Sequence, residues 1–216
     1  MVELTENDEV VPLMLKYMHK QRHIDIKTLD FNALKGLADA AEKYSIYPAM
    51  DICKLRMEYA GCYALSRLRD DAFLDVLGYA AKHSYSDICD LCAPATLGTS
   101  LTIARLALGP LSTLKWATYR EGFLDILRTQ STPPVAQHVL HKGGSAICDV
   151  WKEIDIQSRV MTRVLADPEC LLSTAWKDEM IALFLACPYC ARRVKAWLDG
   201  MMRSASTLPV FSEVVV

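Results

Sequence analysis

Two Cys-x-x-Cys pairs, Cys89/Cys92 and Cys187/Cys190, come nearest in this 216-residue chain to a spacing that does chemistry. Two thiolate pairs are enough for a tetrahedral zinc site. In compact zinc sites the pairs stand only roughly 15–20 residues apart, and the gap from Cys92 to Cys187 is far wider. Cys89 and Cys92 also sit three apart on an apolar helical pattern, which is core spacing. Cys187-Pro188-Tyr189-Cys190 opens a helix, and a helix N-terminus lowers a thiol pKa. A thioredoxin-like reading needs a surrounding βαβ pattern, and the sequence offers none. A zinc-binding or redox-active helical protein using Cys89, Cys92, Cys187 and Cys190 is therefore the alternative reading, and no metal or other cofactor enters the favoured one.

The other candidate chemistry is thinner. The five histidines are His19, His23, His83, His138 and His141. None falls in a His-x-x-x-His or His-Glu-x-x-His arrangement. His138 and His141 share a helix face near Cys148, the spacing of a solvated face. No Gly-x-Ser-x-Gly elbow, phosphate loop or dinucleotide fingerprint is present. Gly143-Gly144-Ser145 reads as a helix break followed by a cap. No catalytic residue set emerges, and the chain is not read as an enzyme. Arg192, Arg193, Lys195 and Arg203 surround Trp197, the mixture of a nucleic-acid surface. Cations near a helix end also simply complement its dipole. Lys plus Arg is 24 against 26 Asp plus Glu, a net charge of −2, and this balance argues against nucleic acid as a partner. The C-terminal Val210-Phe211-Ser212-Glu213-Val214-Val215-Val216 suits strand addition to a sheet edge or capture of its carboxylate, but termini are more commonly loosely ordered.

Composition bounds the scaffold. Hydrophobic residues are 52% and charged residues 23%, which rules out wholesale disorder. Nine Gly and nine Pro are few for a turn-rich β sandwich. No apolar run reaches the roughly 18–20 residues of a membrane span, so a membrane is not an expected partner. The N-terminal MVELTENDEV has no signal-peptide core. Eight cysteines are too sparse for a disulfide scaffold. Together these point to reduced thiols inside the cell, in cytoplasm or nucleus.

Periodicity predicts a mainly α chain. A helix covers residues 9–19, capped by Asn7 or Asp8, with Val10, Val11, Met14, Leu15, Tyr17 and Met18 on its apolar face. Residues 20–29 read as a loop. Asp30 caps a helix striped by Phe31, Leu34, Leu37, Ala38, Ala41 and Tyr44. Ser45 interrupts, and a third helix runs through Met50, Cys53, Met57 and Ala60, loosening at Gly61. Further helices are predicted over 65–83, from Ser86 through Ala95 (with Leu91 inward), over 101–108 up to Gly109-Pro110, and over 112–128 with Leu114, Ala117, Phe123, Leu124 and Leu127 as core. Thr129 to Pro134 reads as a linker. Ser145 caps a helix striped by Ile147, Trp151, Ile154, Met161, Val164 and Leu165. Asp167-Pro168 starts another helix, and Pro188 starts one ending near Gly200. The segments are 1–60, 61–130, 131–203 and a tail, 204–216.

Residues 2–60 resemble the C-terminal half of a BTB/POZ domain. Val2-Glu3-Leu4 matches the family's last strand, and residues 9–19 match its third long helix, with Tyr17-Met18-His19-Lys20-Gln21 at the closing turn. Leu34 to Cys53, LKGLADAAEKYSIYPAMDIC, matches the next helix pair. Residues 64–97 resemble the helical pair that often follows a BTB domain, with Leu74 to His83 as its Leu-rich helix and turn, and the whole pattern looks most like BTB proteins of basidiomycete fungi. The resemblance implies the C-terminal half of a BTB/POZ fold followed by an all-helical region, with the N-terminal half of the domain missing. It implies a protein–protein interaction role, as an adaptor for a cullin-type ubiquitin ligase or as a transcriptional regulator. The expected partners are a cullin-type scaffold or another BTB protein, and self-association is left open. Leu13, Lys16, Tyr17 and His19 are the docking residues it implies. Helices deprived of their sheet are expected to expose apolar surface and to make the chain associate.

Overall fold

The structure is a computed structural model that describes residues 5–19, 25–63, 70–133, 153–183 and 187–216. Ten α-helices joined by short 3-10 turns account for most of these residues, and no strand occurs among them. The chain is mainly α. It divides into two compact units, Met1–Thr96 with Leu101–Thr113, and Leu97–Ser100 with Leu114–Val216.

The first unit contains α1 (Val10–Met18), α2 (Phe31–Tyr44), α3 (Tyr47–Tyr63), α4 (Asp70–Lys82), α5 (Ser86–Cys92) and α6 (Leu101–Leu108). Asn7 Oδ1 accepts the Val10 amide at 2.8 Å and so closes the start of α1. Asp30 Oδ1 accepts the Ala33 amide at 2.8 Å and caps α2, the role predicted for it. Helix α2 ends at Ser45, which takes the left-handed conformation (φ 55°) while Ile46 N donates to Ala41 O at 2.9 Å. Ser84 (φ 63°) ends α4 in the same way, with Tyr85 N donating to Ala80 O at 2.9 Å. These paired bonds satisfy the last helical carbonyls. They also turn the chain sharply enough for α3 to pack on α2 and α5 to pack on α4.

Leu37, Ala38 and Ala41 of α2 and Cys53 and Met57 of α3 are wholly buried. Small residues on α2 bring the neighbouring helices close. Gly78 does the same for α4 and α6, because a Cβ there would lie 2.7 Å from the carbonyl oxygen of Ala107. Helix α3 continues through Gly61 to Tyr63 and does not loosen there, since one glycine costs a helix only about 1 kcal/mol.

Helix α7 (Pro110–Thr129) carries the chain from the first unit into the second, which also holds α8 (Glu153–Ala166), α9 (Thr174–Ala182) and α10 (Pro188–Ser206). The α7 core is Trp116, Tyr119, Phe123, Ile126 and Leu127. Leu114, expected inward, is 56% exposed. The α8 face is Ile156, Val160 and Val164; Val164 is buried as expected, whereas Leu165, expected on the same face, is 55% exposed. Asp167-Pro168 begins a 3-10 turn, Pro168–Leu172, where an α-helix was expected, and Asp167 pairs with Arg163 at 3.1 Å. Helix α10 passes through Gly200 because its buried stripe of Cys190, Val194, Trp197, Met201 and Ala205 continues beyond it.

The C-terminal segment is neither loose nor strand-like. It forms a 3-10 turn, Phe211–Glu213, and Phe211 is 2% exposed. Its ring meets Tyr119 edge-on at 5.7 Å, and Lys115 donates to Ser212 O at 2.8 Å.

The strand expected at residues 2–4, the start of the helix expected from Leu65, and Pro134, His138, His141, Gly143-Gly144, Ser145, Ile147, Cys148 and Trp151 lie outside the described residues. Among the described residues no helix is long and apolar enough to cross a membrane.

Candidate interaction surface

The first unit is held by a polar cluster whose centre is Glu42. Its carboxylate accepts the hydroxyl of Tyr79 at 3.0 Å and that of Tyr85 at 2.5 Å. His83 stands between two carboxylates, with Nδ1 3.7 Å from Glu42 and Nε2 3.6 Å from Asp39. Its ring packs on Tyr79, with centroids 4.8 Å apart. Lys82 also pairs with Asp39 at 2.9 Å, and Lys35 with Asp75 at 2.5 Å. Burial raises the Tyr79 phenol, and the bond it donates to Glu42 raises it further. Burial pushes Tyr85 up to about 12, with Glu42 adding to the shift. Both hydroxyls therefore stay protonated donors at neutral pH, and the cluster ties α2 to α4 and to the start of α5.

Helices α1 and α3 also pack on α2 in this unit. Helix α1 turns Val10, Met14 and Tyr17 inward. Of the four residues implied for docking, Lys16 and His19 are exposed, Leu13 is half-buried, and Tyr17 is buried at 7%. Tyr17 is a packing residue because its ring faces the unit's core, and burial raises its phenol. Leu15 at 40% and Met18 at 57%, expected on the buried face, are left outside.

Helix α3 carries the larger outward surface. Ala49, Cys53 and Met57 form its buried side. On the opposite side stand Tyr47 at 68%, Leu55 at 64% and Tyr59 at 53% exposure, with Asp51 between them. Positions 47, 51, 55 and 59 are four apart and form one ridge along the helix. Arg56 lies 5.6 Å from the Tyr59 ring centroid and braces it. Lys54 pairs with Asp87 of α5 at 2.8 Å and so holds one flank of α3 in place. The sequence pattern hid this ridge because α3 is apolar on both sides, so only the buried stripe was recognised.

Cys89 and Cys92 are buried in the first unit, and Cys187 and Cys190 are buried in the second. Among the described residues no group of three or more His, Cys, Asp or Glu side chains is placed to hold a metal ion. The basic cluster also lacks its aromatic platform. Trp197 is 4% exposed and donates its indole N–H to Gln130 O at 2.8 Å. Arg192 stacks on Tyr189 at 4.9 Å, and Arg203 donates to the Asp199 carbonyl at 3.1 Å.

The architecture is that of a helical protein of two compact units with a tyrosine–leucine ridge exposed on α3. Comparisons with protein-family models, curated proteins and solved structures find no match for the chain.

Proposed function

We propose that the chain is a non-enzymatic protein–protein interaction protein of BTB/POZ type, an adaptor that docks partners on the outward side of α1 and α3. The observation that carries this reading is the ridge of Tyr47, Leu55 and Tyr59, with Leu15 and Met18 exposed on α1. Tyrosine and arginine dominate protein interface hot spots, and here Arg56 is already stacked on Tyr59. The resemblance of residues 2–60 to a BTB C-terminal half points to a cullin-type scaffold as the first partner to try.

The test is calorimetric titration of the chain with the N-terminal domain of a cullin-type scaffold. Binding weakened at least tenfold, the effect of about 1.4 kcal/mol, is expected for Leu55→Asp and for Leu15→Asp, with unchanged circular dichroism. Absence of binding by the unaltered chain removes the cullin reading. Binding that survives both substitutions removes the surface.

A further inference from the structure

A second apolar surface lies at the corner where α6 meets α7. Leu106 is 79% exposed, Leu111 73%, Leu101 54% and Ile103 46%. Ala104 and Leu108 are the buried residues of α6, and Ile103 and Leu106 lie on the opposite side. Gly109, at φ 72°, separates the two helices. Leu106 and Leu111 project furthest from the surface.

Along the segment that forms the corner the sequence is one-sided in charge. From Leu91 to Arg120 the sequence contains no Asp or Glu, but it contains Arg105, Lys115 and Arg120. No comparable bias exists in the chain as a whole, where acids outnumber bases. Lys115 and Arg120 donate to the carbonyls of Ser212 and Leu97. Arg105 is exposed on α6 itself, among the projecting aliphatic residues.

We propose that the α6–α7 corner seats on an anionic lipid surface, with its leucines in the headgroup–acyl boundary and Arg105 at the lipid phosphates. Aliphatic side chains beside a cation are the chemistry of interfacial membrane binding. Leucine is under-represented among protein hot spots, where tyrosine, tryptophan and arginine prevail, so this corner differs in kind from the α3 ridge. With no acidic residue on α6 or in the first turns of α7, these elements add no repulsion toward an anionic leaflet. Such seating needs no membrane span, and it is independent of the docking role proposed for α1 and α3.

Co-sedimentation of the full chain with phosphatidylcholine vesicles, with and without phosphatidylserine, tests it. The chain pellets with the phosphatidylserine vesicles and is released as salt rises. Joint Leu106→Asp and Leu111→Asp substitution lowers partitioning at least about tenfold with an unchanged melting curve, and Arg105→Glu lowers the dependence on phosphatidylserine. The proposal is overturned if the unaltered chain stays in the supernatant or pellets equally with neutral vesicles. It is also overturned if the aspartate variant still pellets, or if light scattering finds a dimer that Leu106→Asp disperses, since the corner would then belong to a second copy of this chain.

Discussion

Replacing Glu42 by alanine should destabilise the first unit by about 3 kcal/mol. The figure comes from two bonds of unequal value. A hydrogen bond to a charged acceptor is worth about 1.5–3 kcal/mol. Tyr79, which donates one of them, is 3% exposed, so its stranded hydroxyl finds no water and the loss falls near about 2 kcal/mol. Tyr85 is only half-buried, and its hydroxyl regains water, which leaves about 1 kcal/mol. Tyr79→Phe alone keeps Glu42 bonded to Tyr85 and should cost about 1.5 kcal/mol. The two substitutions share one bond, so the double variant should cost less than their sum by about 1.5 kcal/mol. A melting curve would average over two units. The measurement is therefore native-state hydrogen exchange followed by mass spectrometry on peptides from α2 and α4. The reasoning fails if Glu42→Ala costs under about 1 kcal/mol, or if the double-variant cycle closes without coupling.

Four further outcomes follow from single positions. Gly78→Ala should cost about 1–3 kcal/mol, read by urea unfolding, because its Cβ meets the Ala107 carbonyl at 2.7 Å and backbone cannot rotate away. Leu37→Asp should unfold the first unit, since it places a charge where no solvent reaches, whereas Leu55→Asp should stay within about 0.5 kcal/mol of the parent. Lys43 and Tyr44 hold the Glu6 carboxyl at about 2 against 4.5 unfolded. A depressed carboxyl contributes stability that is present above 4.5 and lost as pH falls toward 2, so the melting temperatures of the parent and Glu6→Gln should differ at neutral pH and converge in that window. Burial pushes the Cys53 and Cys170 thiols up to about 12, with the Glu42 and Asp167 charges adding to it. Iodoacetamide at about pH 8 should modify neither until the chain unfolds.

Legibility in the sequence followed the strength of local signals. Asp30, Ser45 and the Gly109-Pro110 break set boundaries through cap and turn chemistry, which acts within a few residues. The α2 stripe was clear because Leu34, Leu37, Ala38 and Ala41 fall on one side of an otherwise polar helix. Helices α3 and α7 were harder. Both bear apolar residues all round, so periodicity does not say which ones tertiary packing will choose, and Leu114 was placed inside while Trp116 was passed over. Asp167-Pro168 has the local sequence of a helix start, but the Arg163 ion pair takes the Asp167 carboxylate and the chain makes a 3-10 turn. The Glu42 cluster was invisible for another reason. Glu42 lies more than thirty residues along the chain from Tyr79, His83 and Tyr85, and no local rule joins it to them.

The resemblance led us to expect helices stripped of their sheet and short of something to pack against. In the first unit α2 is not short of it, since its core face is covered by helices of the same unit and Leu37, Ala38 and Ala41 have no exposure. Besides Leu15 and Met18 on α1, the unit leaves two apolar surfaces, the far side of α3 and the α6–α7 corner. Neither surface faces the α2 core, so aspartate on either should leave the melting curve alone while each removes a different binding event. Leu55→Asp should spare vesicle binding, and the Leu106→Asp, Leu111→Asp pair should spare the protein partner. If one substitution abolished both, the surfaces would be coupled through the fold and the separation argued from their positions on α3 and α6 would be wrong.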